Sequence, residues 1–278
     1  MIRRPPRSTH CISSAASDVY KRQLNELEGI VPAENIVEMD LASPKSVQKF
    51  VDDFSSHVNK LDILINNAGV MACPEMRTPE GWELQFAVNQ IGHFVLTKGL
   101  LPLMQAADGS RLVTLSSTGH KISGIRWDDI HFNDSEYEKW TAYGQSKTAA
   151  SLLAIEVDKR MKDSGVRAFG VHPGGIMTPL QRHLEQEEMV ALGWMDEDGQ
   201  PTERVAKMFK TPTQGASTSL WAATSPQLTD IGGVYCENCE VAAPTDDGKN
   251  ARFIGVNDWA VDSEEASRLW DETERMLS

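Results

Sequence analysis

The chain has 278 residues, 40% of them hydrophobic and 24% charged, which is ordinary for a globular protein and enough for one large α/β core. A formal net charge of −13 argues against a phosphate-backbone partner, so no nucleic acid is expected. No run of about 18 apolar residues occurs, so no membrane span is expected either.

Residues 1–23 differ from the rest. They hold Arg3, Arg4, Arg7, Lys21 and Arg22 against the single acid Asp18. The runs MIRRPPRST and CISSAASDVYKRQ resemble translated sequencing-adapter sequence, and the segment is read as an artefactual or disordered tail. From Leu24 onward the pattern is that of one domain. Leu24–Gly29 reads as the tail of a helix and Asn35–Asp40 as a short strand. Ser43-Pro44 supplies an N-cap and a proline at the first helical position, with Val47, Phe50, Val51 and Phe54 at helical spacing.

Leu61–Asn66 is a compact apolar strand closed by Asn67-Ala68-Gly69. Trp82–Met104 is one long helical pattern. Arg111–Ser116 is a second buried strand, Tyr143–Lys162 a helix, and Val166–His172 a third strand closed by Pro173-Gly174. Pro212–Ser225 reads as a helix, Val234-Tyr235 as a last strand and Val261–Leu277 as a terminal helix. Apolar strands alternating with helices predict an α/β, doubly wound parallel sheet of Rossmann-like type. Ligands bind such sheets at the carboxyl ends of the strands.

Four cysteines, Cys11, Cys73, Cys236 and Cys239, suit a reducing, cytoplasmic compartment. Cys236-Glu-Asn-Cys239 lacks two further ligands for zinc and follows a strand end rather than opening a helix. Structural or incidental thiols are expected there, and no metal site.

The chemistry gathers at the strand ends. Tyr143 and Lys147 stand four apart on one helix, so an ammonium should lie beside the phenol and lower its pKa. A phenol tuned in this way exchanges protons with an alcohol or carbonyl oxygen. Ser116-Ser117 ends the strand upstream, where a hydroxyl can hold the reacting oxygen. Asn89 sits inside the long helix, where asparagine is a mediocre helix former.

Asn66-Asn67-Ala68-Gly69, Asn89, Ser117, Tyr143-x-x-x-Lys147 and Pro173-Gly174 occur in the order seen in short-chain dehydrogenases/reductases, which the chain resembles from about Leu24 to Ser278. The stretch TPEGWELQFAVNQIGHFVLT, the spacing of 26 between Ser117 and Tyr143 and the ending GGVYCENCEVA resemble the retinol-dehydrogenase-like and WW-domain-oxidoreductase-like branch. The resemblance implies an NAD(P)-dependent oxidoreductase, using NADP or NAD, that interconverts an alcohol and a carbonyl by hydride transfer. Its small-molecule substrate would be lipophilic, and a homo-oligomer stays open.

Tyr143 would be the general acid/base. Lys147 would lower its pKa and bind the nicotinamide ribose, and Ser117 would position the reacting oxygen. Asn89 would support a water-linked proton relay through its backbone. Asp40 and Leu41 would touch the adenine side, and Asn67, Ala68 and Gly69 would line the cofactor cleft. Pro173, Gly174, Ile176 and Thr178 would orient the nicotinamide amide. Plainer roles stand beside these: Asp40 as a helix-entry acid, Asn67 as a turn former, Thr178 as a helix cap. Residues 179–211, rich in Leu, Met and Trp, would form a substrate lid, although amphipathic packing gives the same pattern.

Members of the family open with a strand, a glycine-rich turn and a helix. No G-x-x-x-G-x-G precedes Asp40. The domain is therefore expected to be N-terminally truncated, lacking the first strand, the glycine-rich loop and the second strand, and leaving an unpaired sheet edge. Weak dinucleotide binding and poor folding would follow. Two other readings remain: a non-catalytic or cofactor-incompetent fragment acting only in binding or assembly, and a sugar epimerase or dehydratase, which shares Y-x-x-x-K. The short segment after Thr178 and the Asn-Asn-Ala-Gly strand end argue against the latter.

Overall fold

The computed structural model describes residues 35–245 and 252–278. The helix tail expected at 24–29 and the tail at 1–23 lie outside them.

Helix α1 (Pro44–His57) starts where the sequence places it, with the Ser43 hydroxyl accepting the Ser46 amide and proline in the first turn. The strand expected over 35–40 is not formed. The Asp40 amide donates to Ser46 Oγ at 3.0 Å, and the Asp40 carboxylate accepts the Ala42 amide at 2.9 Å. These local side-chain bonds replace a strand ladder and turn the chain into α1. Among the described residues no strand pairs with this segment, and Val37 stays exposed.

Strands β1 (Ile63–Asn66), β2 (Arg111–Leu115), β3 (Arg167–His172) and β4 (Val234–Glu237) pair in parallel, in chain order. The last strand runs two residues further than the sequence pattern predicts. A tight turn then returns it as the antiparallel β5 (Glu240–Val241). Asn238 and Cys239 occupy that turn with φ of 51° and 60°, as a two-residue hairpin requires. Cys236 is therefore a core residue of β4, its thiol pushed up to about 12 by burial, while Cys239 sits exposed on the turn.

The predicted Trp82–Met104 helix is three pieces in series: α2 (Leu84–Phe86), a π-helical turn (Ala87–Gly92) and α3 (His93–Gln105). The wide turn carries Asn89, and such turns recur at functional sites. Helix α4 (Lys139–Met161) begins four residues earlier than the apolar pattern suggests, because the Glu138 carboxylate caps the amides of Trp140 and Thr141. Helices α5 (Gln186–Ala191) and α6 (Glu203–Met208) lie within residues 179–211, α7 (Pro212–Thr224) follows, and α8 (Ser263–Leu277) starts on an Asp262 cap.

Alternation along the strands splits the core into two layers. Leu112 and Ala168 face α3 and α4, meeting Phe94, Met104, Leu153 and Trp270. Val113, Leu115, Phe169 and Val171 face the other way, onto Ala222, Ala223 and Leu228. All residues from 142 to 158 of α4 are buried, because α8 covers its outer side. At β1 the cover is thinner: Ile63 and Ile65 are each 39% exposed, and β1 pairs only with β2 among the described residues.

Gly92 fixes how closely α1 and the π turn approach. A Cβ there would lie 2.2 Å from the Leu41 carbonyl oxygen, which is backbone and cannot swing aside. Gly92→Ala should therefore cost about 2 kcal/mol of stability. The change would appear as a lower denaturant midpoint at unchanged slope; an unchanged midpoint would mean the contact does not exist.

Candidate active site

The site forms where β2 ends against the middle of α4. Successive strand residues point to opposite sides. Ser116 turns toward the helix and donates its hydroxyl to the Lys147 carbonyl at 2.7 Å. Ser117 therefore turns the other way, into hydrogen-bonding reach of the Tyr143 phenol. Its Oγ also accepts the Gly119 amide at 3.0 Å, starting the 3-10 turn Thr118–Lys121. Tyr143 and Lys147 are both buried, 4% and 5% exposed.

The electrostatics differ from the sequence expectation. Lys147 Nζ donates to the Leu115 carbonyl at 3.0 Å and lies 5.7 Å from the centre of the Tyr143 ring. Burial holds the phenol up near 12, with the Ser117 hydrogen bond opposing it; the ammonium is not among the causes of the shift. Burial also brings Lys147 down to about 8. The anticipated lowering of the phenol by its neighbour is therefore not found; removal from water sets the direction of the shift.

The Asn89 side chain is fully engaged. Its Oδ1 accepts the Val70 amide and its Nδ2 donates to the Val70 carbonyl and to Ser146 Oγ, each at 2.9 Å. Asn89 thereby ties the loop after β1 to α4. Its backbone carbonyl lies 3.2 Å from His93 Nδ1, and burial keeps that imidazole neutral, at about 4. Gly69 must be glycine for this packing, since a Cβ would lie 2.8 Å from Asn89 Oδ1 and 3.5 Å from Lys147 Nζ.

Asn67 and Ala68 are exposed and Gly69 half-buried at the end of β1; Pro173, Gly174, Ile176 and Thr178 are half-buried beyond β3. Both groups flank Ser117 at the same edge of the sheet. Thr178 serves as a cap: its hydroxyl accepts the Leu180 amide at 3.3 Å, and its amide donates to Gln181 Oε1 at 2.8 Å. Asp40 is exposed and used locally. The Leu41 side chain packs into the apolar cluster of Val47, Val51, Leu96 and Leu100, leaving only its backbone for a ligand.

Leu180, Leu184, Met189, Leu192 and Trp194 pack over Met71, Ala72 and Tyr143. Edge-on aromatic contacts lead away from the phenol: Tyr143 to Trp140 at 6.3 Å, Trp140 to Trp194 at 6.4 Å, and Trp194 to Phe209 at 5.7 Å. Lys139 pairs with Glu188, linking α4 to α5. Sequence reading passed over Trp140 and Phe209. Trp140 stands three residues before Tyr143 and so shares its helix face, which was the available signal; Phe209 has none in the sequence.

The short chain dehydrogenase family model matches residues 10–189. The chain belongs to the short-chain dehydrogenase/reductase family. It is 37% identical over 247 residues to short-chain dehydrogenase/reductase prx1 of Penicillium roqueforti, covering 87% of this chain and 70% of that protein. It is 33% identical over 271 residues to human retinol dehydrogenase 13, covering 95% of this chain and 73% of that protein. A crystal structure of an uncharacterized protein from Mycobacterium Paratuberculosis superposes with a TM-score of 0.62 at 28% identity, over 88% of this chain and 78% of that one. The chain is thus an enzyme of an oxidoreductase family, in its retinol-dehydrogenase-like branch. Family membership carries with it the use of a nicotinamide dinucleotide. Among the described residues no helix is long and apolar enough to cross a membrane.

The residues present fit the nicotinamide-ribose half of such a cofactor. Gly69, having no Cβ, leaves Asn89 Oδ1 and Lys147 Nζ unobstructed at the end of β1, and residues 173–178 beyond β3 are only half-buried.

A lysine lowered to about 8 in the folded state binds fewer protons than the unfolded chain between pH 8 and 10. Stability therefore rises with pH across that window. Relative to Lys147→Met, the wild type should gain more than about 2 kcal/mol from pH 8 to 10, measured by chemical denaturation. A pH-independent difference would show that the ammonium is not desolvated.

Proposed function

We propose that this enzyme interconverts a lipophilic alcohol and its carbonyl, with Tyr143 as general acid/base, Ser117 holding the reacting oxygen, and Lys147 with Tyr143 binding the ribose of NADP or NAD. The observation that carries the reading is the buried Tyr143 phenol in hydrogen-bonding reach of the Ser117 hydroxyl at a strand end.

When bound, the nicotinamide would supply or accept the hydride. The Ser117 hydroxyl would donate to the substrate oxygen and fix it beside Tyr143 Oη. In reduction the phenol gives its proton to that oxygen as the carbonyl carbon gains hydride; in oxidation it takes the proton back. A phenol held near 12 is protonated at neutral pH, the form that reduction needs. Lys147 would hold the ribose hydroxyls while staying anchored on the Leu115 carbonyl. Asn89 would keep the cleft floor in place through Val70 and Ser146. The lid residues and the Trp140–Trp194–Phe209 contacts support an apolar substrate, since they offer ring faces and methyl groups rather than charge.

Tyr143→Phe should lower kcat by roughly 10²- to 10⁴-fold while leaving the fold intact. The assay is dinucleotide absorbance with long-chain primary alcohols and aldehydes, using millimolar NADP(H) and NAD(H). Full turnover in the variant would reject the reading. Trp194→Ala should raise KM for a long apolar substrate about tenfold more than for a short one. Equal changes for both would remove the apolar wall from the substrate site.

A further inference from the structure

His120 was assigned no role by the sequence pattern, yet it is wholly buried directly behind the candidate catalytic serine. The Asn257 amide donates to its Nε2 at 3.1 Å. A backbone N–H only donates, so Nε2 is the bare nitrogen and Nδ1 carries the proton. That proton points to the Ser117 carbonyl, 2.7 Å away. The Tyr235 hydroxyl lies 3.3 Å from the same nitrogen, and its ring packs 5.0 Å from the imidazole. The His120 carbonyl accepts the Trp259 indole N–H at 3.0 Å.

Lys121 extends the same connection, donating to Thr245 Oγ1 at 2.8 Å and to the Ile254 carbonyl at 2.5 Å. The turn Thr118–Lys121 is thus fastened on one side to Ser117 and on the other to residues 245 and 254–259. Burial pushes the imidazole down to about 4, so it stays neutral, with this tautomer, at ordinary pH.

We propose that His120 is a positioning residue: it aims Ser117 at Tyr143 by holding the Ser117 carbonyl with one ring nitrogen and the Asn257 amide with the other. The positioning role rests on the catalytic reading of Ser117 and Tyr143. With the carbonyl pinned by His120 and Oγ pinned by the Gly119 amide, the serine has no free rotation left except that of its hydroxyl proton.

Asn257→Pro tests this without touching the turn. Asn257 has φ −79°, within proline's range, and its side chain makes no capping bond, so the variant removes chiefly one N–H. Three readouts apply. Long-range ¹H–¹⁵N spectra of the histidine-labelled wild type should show His120 protonated at Nδ1 and bare at Nε2. In Asn257→Pro, amide exchange at His120 and Ile122 should quicken roughly tenfold while β3 is unchanged. Its kcat should fall several-fold with KM unmoved, and His120→Asn, which keeps a donor near the Nδ1 position, should retain more kcat than His120→Gln.

The opposite tautomer, or unchanged exchange in Asn257→Pro, overturns the clamp. Quickened exchange with unchanged kcat overturns its positioning role. The spectra and exchange need no turnover, so they stand even if a fully active Tyr143→Phe variant has removed the catalytic reading.

Discussion

Two reciprocal hydrogen bonds join the end of β2 to the middle of α4, and the site is arranged around them. Ser116 Oγ donates to the Lys147 carbonyl, and Lys147 Nζ donates to the Leu115 carbonyl. The first pair turns Ser117 outward toward Tyr143; the second holds a buried ammonium beside Gly69. Neither side chain could exchange its partner for water, because both lie in the interior. An unmade bond there would leave a buried polar group without compensation.

Burial decides the electrostatics. The phenol and the ammonium both have their charged forms disfavoured, so Tyr143 moves up and Lys147 down. The helix that carries them is enclosed because α8 covers the side of α4 away from the sheet, with Trp270 set edge-on against Phe94 at 4.7 Å. The terminal helix thus packs on Ala149, Leu152 and Ile155 of the helix that carries both residues, from more than a hundred positions later in the chain. The turn at His120 is a second such dependence, since residues 254–259 reach the serine through one imidazole.

Much of the site was legible because its signals are local. A tyrosine and a lysine four apart on a helix share a face whatever surrounds them, and a serine pair at the end of an apolar strand must point two ways. Asn89 stood out as a polar residue in a helical run, and the structure accounts for it by the π turn and its bonds to Val70 and Ser146. The strand expected over 35–40 failed because β propensity means little without a pairing partner, and Asp40 and Ser46 met the backbone's needs locally. Thr178 had two readings, and its bonds to Leu180 and Gln181 make it a cap.

By itself the sequence determined the alternation of strands and helices, the cap at Ser43, and the grouping of Tyr143, Lys147 and Ser117 at strand ends. Spacing and turn chemistry act over a few residues, so they can be read from the chain. Only the tertiary structure decided that desolvation raises the Tyr143 phenol, that Trp140, Trp194 and Phe209 line up beyond it, and that His120 stands behind Ser117. Those outcomes depend on which distant segments exclude water from the same few side chains, and that is set by packing.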